Sequence, residues 1–241
     1  MALSVAELWR YPVKSLQGEQ LPAAAVRSDG VVGDRIVHVR DGDGLITGRQ
    51  AGRLLSLRAV TGPDGEPLVQ GHPWRSDAAG ALIRAAAGAG AELAAWTGIE
   101  RNDILPLLIA TDAEVARWGA DRRRLRPNLV LSGAQAFQER GWPGHALRIG
   151  PDLVVGVDSV RLRCIVVTYD PDTGERDQAH LRRVHREFEG RLALNCWVIK
   201  PGQVTLGDTV EVVDLGIDDV TEHPTHPGYP GWVYGATYAV P

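Results

Sequence analysis

DLVVGVDSVRLRCIVVTYD, residues 152–170, is the stretch on which the fold turns. Its length, its branched residues and the glycine at 156 point to a strand that curls rather than one that lies flat. Three other segments share those features: RPNLVLSG (126–133), HALRIG (145–150) and CWVIKPGQVTLGDTVEVVD (196–214). Strands of this kind leave edges exposed, and closing or nearly closing into a barrel removes them. The expected fold class is mainly β with a few short helices (α+β).

Upstream, strand signals dominate as well. DRIVHVRD (34–41) alternates, and DGDG (41–44) is a turn cluster that leads into LITGRQ, which reads as a hairpin. LLSLRAV (54–60) and PLVQG (67–71) form a second expected pair, with TGPDGE supplying the turn. Three short helices interrupt the strands. One spans 76–88, where alanines surround Leu82 and Ile83 and the glycines at 88 and 90 end it. The second follows Thr111, which with Glu114 forms a capping-box pattern and stops at Gly119. The third covers 179–189, where Leu181, Val184, His185 and Phe188 share a face. The tail from 216 is rich in Pro, Gly and aromatic residues and reads as a wrapped irregular extension.

The chain has 241 residues, 44% of them hydrophobic and 23% charged, which is ordinary for a globular protein with a sizeable core. No segment approaches the roughly 20 unbroken apolar residues of a membrane span. MALSVAELWRYPVKSL carries Glu7 and no basic region followed by a hydrophobic run, so no secretory signal is expected and the cytoplasm is the expected location. A net charge of −4 argues against a general nucleic-acid or anionic-membrane binder. Only Lys14 and Lys200 among the 26 basic residues are lysines. Arginines crowd at 117, 122, 123, 124 and 126, and as a group they read as a solvated helix end. Arg126, beside Pro127, stands apart from that group.

Two cysteines make no disulfide framework, zinc ribbon or iron–sulfur site. His223 and His226 lack a third ligand nearby, and His180 and His185 fall on different helix faces. There is no G-x-S-x-G, Walker loop or G-x-G-x-x-G. Cys196 sits among Leu194, Trp197 and Val198 and reads as core. Cys164 is different, because Arg163 precedes it and the polar turn DPDTG follows. That setting favours a thiolate, yet the residues alone leave it open between core, ligand and nucleophile.

Six motifs in order carry a resemblance: YPVKSLQG (11–18), GDRIVHV (33–39), GLITGRQ (44–50), LRPNLVLSG (125–133), RCIVVTYDPDTGE (163–175) and GQVTLGDTVEV (202–212). Together they resemble the MOSC family, whose name comes from the C-terminal domain of molybdenum cofactor sulfurase. The pattern is similar to its amidoxime-reducing members and to bacterial reductases of N-hydroxylated compounds. The resemblance implies a MOSC-type β-barrel at 98–215, packed against an N-terminal β-barrel-like region at 1–97, with 216–241 as the extension. It implies molybdenum cofactor (Mo-molybdopterin), with no use of pyridoxal phosphate, and Cys164 as the metal ligand. Lys14, Ser15, Arg35, Arg126, Asn128 and Arg163 are implied as contacts of the pterin and its phosphate. Guanidinium and amide groups suit that task, since they read a phosphate and the rim of a planar ring. A soft thiolate suits molybdenum.

The implied activity is removal of oxygen from an N–OH group to leave N–H and water. Asp170 and Asp172 are candidate catalytic proton relays, although DPDTG also spells an Asx-Pro turn. One departure from the family pattern is Ile104-Leu105 where Thr-Ser is frequent. The chain also shows no ferredoxin-like cysteines, so electrons are expected from a separate flavin, haem or iron–sulfur protein, and the other partner is a small N-oxygenated substrate. The alternative from another class is a sulfur or cofactor carrier that uses a Cys164 persulfide without reducing N–OH groups. A third is a binding module that has kept the barrel and lost the metal, with Cys164 structural.

Overall fold

The computed structural model describes residues 2–96 and 101–215. The tail from 216, with His223 and His226, lies outside the described residues, as does the expected domain boundary at 97/98. The first ten strands are β1 (Leu3–Arg10), β2 (Glu19–Gln20), β3 (Ala23–Arg27), β4 (Gly30–Val31), β5 (Val37–Asp41), β6 (Gly44–Ile46), β7 (Ala59–Thr61), β8 (Pro67–Val69), β9 (His72–Pro73) and β10 (Glu92–Ala95). After them come β11 (Leu107–Thr111), β12 (Leu129–Ser132), β13 (His145–Ile149), β14 (Leu153–Leu162), β15 (Arg191–Lys200), β16 (Gly202–Thr205) and β17 (Thr209–Asp214). The helices are α1 (Asp77–Ala87), α2 (Asp112–Trp118) and α3 (Ala179–Phe188). None of these is long and apolar enough to cross a membrane.

The long curling strand of the sequence is β14, and it does belong to a closed barrel. Strands run β12-β11-β15-β14-β13-β17-β1, and β1 pairs back onto β12 to close the ring. Only β11 and β12 are parallel, and every other neighbouring pair is antiparallel. Curvature comes from irregular pairing: β14 slips against β15 between Val154 and Val155, between Val157 and Ser159, and between Val160 and Leu162. At the first bend Gly156 makes room for the Trp197 ring, because a Cβ there would lie 2.1 Å from the indole. Leu8, Ile109, Leu129, Leu147, Val155, Leu194 and Cys196 fill the interior. Cys196 is therefore core, as its neighbours predict, and burial pushes its thiol pKa up.

The first strand of the chain is thus a stave of the barrel. The rest of the N-terminal segment builds a second core from Val13, Leu16, Val37, Leu54, Trp74 and Ile83. Two three-stranded sheets, β10-β5-β6 and β7-β8-β9, wrap it, while β3 pairs with β4 and β16. The 34–50 hairpin forms with Asp41 opposite Gly44. The second expected pair is shorter than its sequence suggests, since Gly52–Ser56 is a 3-10 helix and β7 starts only at Ala59. Leu54 and Leu55 are consecutive and both buried, which a strand with one buried face cannot achieve.

Ser76 caps α1 by accepting from Ala79 N at 3.2 Å, and Thr111 caps α2 by accepting from Glu114 N at 3.2 Å. The reciprocal half of the capping box is absent. Instead Glu114 Oε2 reaches across to accept from Ala193 N of β15 at 3.0 Å. Its carboxyl lies against Glu139, and both side chains are completely buried. Burial first, and the Glu139 carboxylate second, push the Glu114 pKa up to about 8, with Arg140 opposing weakly. The pair holds a proton at neutral pH.

RCIVVTYD does not continue β14 as a strand. Pairing with β15 ends at Leu162, Arg163 N donates to Gly190 O at 2.9 Å, and the chain turns into a 3-10 helix at Ile165–Thr168 with Cys164 at its N-cap. Thr168 Oγ1 closes that turn on Ile165 O at 2.6 Å.

A buried arginine cluster beside Cys164

Tyr11, just past the end of β1, organises one half of the cluster. Its backbone N donates to Asp34 Oδ1 at 2.7 Å and its hydroxyl to Pro127 O at 3.1 Å. Arg126 lies 4.4 Å and Arg35 5.2 Å from the ring centroid, so two guanidinium groups share one aromatic face-bearing residue. Arg35 is paired with Asp34. Among the described residues Arg126 has no carboxylate partner, donates through Nη1 to Leu16 O, and leaves Nη2 buried without a partner. Burial first, then repulsion from Arg35, lowers its pKa to about 10.

Backbone strain marks the same residues. Among the described residues seven non-glycine residues have positive φ, and three of them are Ser15 (69°), Arg35 (53°) and Arg126 (60°). A side chain in that region costs about 1–2 kcal/mol, and such costs gather where function requires them. Ser15 holds its loop by accepting from Gly48 N at 3.0 Å.

The other half centres on Asp103, which no motif in the chain marks out. Asp103 Oδ1 is 2.9 Å from Lys14 Nζ and Asp103 Oδ2 is 3.2 Å from Arg161 Nη2. Asp103 is partly exposed, and Lys14 and Arg161 hold its carboxyl far below the ordinary carboxylate range. Lys14, itself buried and lowered by desolvation, also donates to Arg101 O at 2.8 Å. Arg35, Arg126 and Arg163 all feel the Asp103 charge, so these groups surround one region. Arg163 is buried, spends Nη2 on Leu125 O at 2.9 Å, and leaves Nε and Nη1 without partners. Burial first, then Arg161, lowers it to about 10, while the adjacent Cys164 acts the other way. Cys164 itself is half-buried.

The remaining expected residues are engaged otherwise. Asn128 is spent on the barrel: Oδ1 accepts from Leu108 N at 3.2 Å and Nδ2 donates to Trp9 O at 3.4 Å. Asp170 caps its own turn, accepting from Asp172 N and Thr173 N at 3.0 Å each, and binds Arg124 at 2.8 Å. Asp172 takes a two-pronged grip from Arg123 at 2.8 and 2.7 Å. Those hydrogen bonds hold both carboxyl pKa values below the ordinary range, led by Thr173 N at Asp170 and by Arg123 at Asp172.

Arg117 is an exposed residue in the last turn of α2, as expected, but the rest of the arginine run is not a solvated helix end. Arg122 binds Glu7, Arg123 binds Asp121 and Asp172, and Arg124 is buried with Nε and Nη1 unpartnered. These three form a 3-10 turn after α2, which folds them back against the barrel. Beside them opens a cleft of about 530 Å3, walled by Trp9, Tyr11, Tyr169, Arg58, Arg124 and Arg126 among others. No group of three or more His, Cys, Asp or Glu side chains able to hold a metal occurs among the described residues. A metal here would bring most of its ligands with it.

Comparison with known proteins identifies the family. The MOSC N-terminal beta barrel domain matches residues 2–121 and the MOSC domain matches residues 103–211. Human mitochondrial amidoxime reducing component 2 is 26% identical, over 73% of this chain and 69% of its own. Molybdenum cofactor sulfurase of Anopheles gambiae is 33% identical over 37% of this chain and 12% of its own. The solved YUAD protein of Bacillus subtilis aligns over 90% of this chain and 98% of its own, at a TM-score of 0.49 and 14% identity. With the two domain matches running together from residue 2 to residue 211, the chain belongs to the family of MOSC-domain proteins.

Proposed function

We propose that this chain is a reductase of N-hydroxylated compounds that works with molybdenum cofactor, with Cys164 as the metal's protein ligand. The observation that carries the reading is the set of buried guanidinium N–H groups without a protein partner, Arg126 Nη2 and Arg163 Nε and Nη1, on two arginines that both feel the Asp103 charge, with Arg163 adjoining the half-buried Cys164. Buried charged donors are costly when unpaired, so they call for an anionic or acceptor-rich group between them. A pterin with its phosphate fits that donor set, and the kinship with amidoxime reducing components supports it.

When bound, the cofactor supplies the two-electron chemistry that converts R–NHOH, two electrons and two protons into R–NH2 and water. Lys14, Arg35 and Arg126 would hold its phosphate and ring rim, Ser15 fixes the loop that carries Lys14, and Arg163 keeps positive charge next to Cys164. Asn128 contributes by fixing the strand start after Arg126. We assign Asp170 and Asp172 to loop geometry rather than to proton delivery, because arginines and turn amides keep both ionised at neutral pH. A separate flavin, haem or iron–sulfur protein delivers the electrons, and the cytoplasm is the proposed location.

The test is purification from a host that makes the cofactor. About one molybdenum and one pterin per chain are expected, with reduction of benzamidoxime by reduced viologen and none by NADH alone. Folded protein that carries a persulfide on Cys164 and retains no metal would favour the sulfur-carrier reading instead.

A further inference from the structure

We propose that the cleft beside the cluster is the substrate pocket and that it selects N-hydroxylated substrates combining a planar ring with a negative charge. This rests on the functional reading above and goes beyond it by naming a substrate class. The cleft holds about 530 Å3, enough for a ligand of one or two rings. Val166 and Tyr169 on its wall belong to the 3-10 helix that Cys164 caps and to the residue ending it, so the cleft adjoins the proposed metal ligand.

Its charges do not balance. Four arginines line it, Arg58, Arg123, Arg124 and Arg126, against two carboxylates, Glu19 and Asp172. Both carboxylates are already occupied: Glu19 by Arg10 at 2.8 Å and Thr61 N at 2.9 Å, Asp172 by Arg123. Arg124 is paired with Asp170 through one nitrogen only, and its other two are unpartnered although the residue is nine-tenths buried. Arg126 is spent on the proposed cofactor, which leaves Arg124 and Arg58, the latter exposed with no ion pair among the described residues. The same wall carries Trp9 and Tyr169, whose rings suit a planar ligand body. Guanidinium forks suit a carboxylate or a phosphate at its far end.

The experiment compares benzamidoxime with 4-carboxybenzamidoxime, which differ by one carboxylate. Equilibrium binding is measured by calorimetry on cofactor-loaded protein, separately from turnover. The charged probe is expected to bind at least fivefold tighter at low salt, with the ratio shrinking in 0.5 M NaCl. Arg58→Ala, at an exposed position that the fold tolerates, is expected to bring the ratio close to one. Equal affinities, a ratio unmoved by Arg58→Ala, or loss of all probe binding when the cofactor is loaded would each overturn the inference, the last by giving the cleft to the cofactor. Loaded protein that reduces both probes alike without a binding preference would sink the pocket and leave the reductase standing. Preferential binding of the charged probe with no reduction of either would do the reverse.

Discussion

Glu114→Gln should change how stability depends on pH, and the structure sets both the sign and the size. Glu114 is fully buried against Glu139, and its pKa rises from an ordinary 4.5 to about 8. Between those values the folded chain keeps a proton that the unfolded chain has released. The unfolding free energy therefore falls as pH rises through that window, by up to about 1.4 kcal/mol per pH unit for one proton. The total is on the order of 3–5 kcal/mol, a large share of a typical domain's stability. A glutamine keeps the shape, can still accept from Ala193 N, and offers Glu139 a permanent N–H in place of the shared proton. His38 and His180, whose pKa values burial lowers, act in the opposite sense up to about pH 6.5, but they are common to both proteins and cancel. Urea unfolding at pH 5, 6, 7 and 8 should show the variant gaining on the parent steadily across the series. Two curves that run parallel from pH 5 to pH 8 would refute a shared proton at this site.

Cys164→Ala should leave the fold intact and abolish both metal retention and N–OH reduction, read by metal analysis and viologen-driven turnover. Cys196→Ser should chiefly cost about 1–3 kcal/mol of stability by burying an unpaired hydroxyl, while folded protein stays metal-loaded. Arg126→Ala should lower the fraction of chains retaining pterin, whereas Arg148→Ala, on a largely exposed strand position paired with Glu211 at 3.9 Å, should not. Gly156→Ala should destabilise by about 1–3 kcal/mol in chemical denaturation, since the added methyl meets the Trp197 ring.

The barrel was legible because its strands are long, branched and broken at glycine or proline, and Pro201 does separate β15 from β16. Helix ends were legible for a similar reason: Thr111, Ser76 and Gly119 act through neighbours two to four residues away. Hidden features depend on partners distant in sequence. Arg124 looked like its solvated neighbours because Asp170, its partner, lies 46 positions on. Asp103 stood alone in sequence, yet the fold brings Lys14 and Arg161 onto its two oxygens. The Ile-Val-Val run after Cys164 reads as more of the curling strand, and only the loss of β15 as a pairing partner beyond Leu162 turns it into a 3-10 helix. Among the site candidates, Lys14, Arg35, Arg126 and Arg163 converge, while Asn128, Asp170 and Asp172 are held by the scaffold.

Ring closure joins the two ends of the described chain: Leu3 of β1 pairs with Val210 of β17, and Leu8 pairs with Leu129 of β12. On the ribosome, at about 5–20 residues per second, the opening strand waits roughly 10–40 s before its last neighbour is synthesised. Throughout that interval Val5 and Leu8, which end completely shielded, have no finished interior to enter. Birth of this protein is thus slower than its size suggests, its yield should fall when translation outruns chaperone supply, and a circular permutant opening between β13 and β14 would let β17 and β1 emerge in succession.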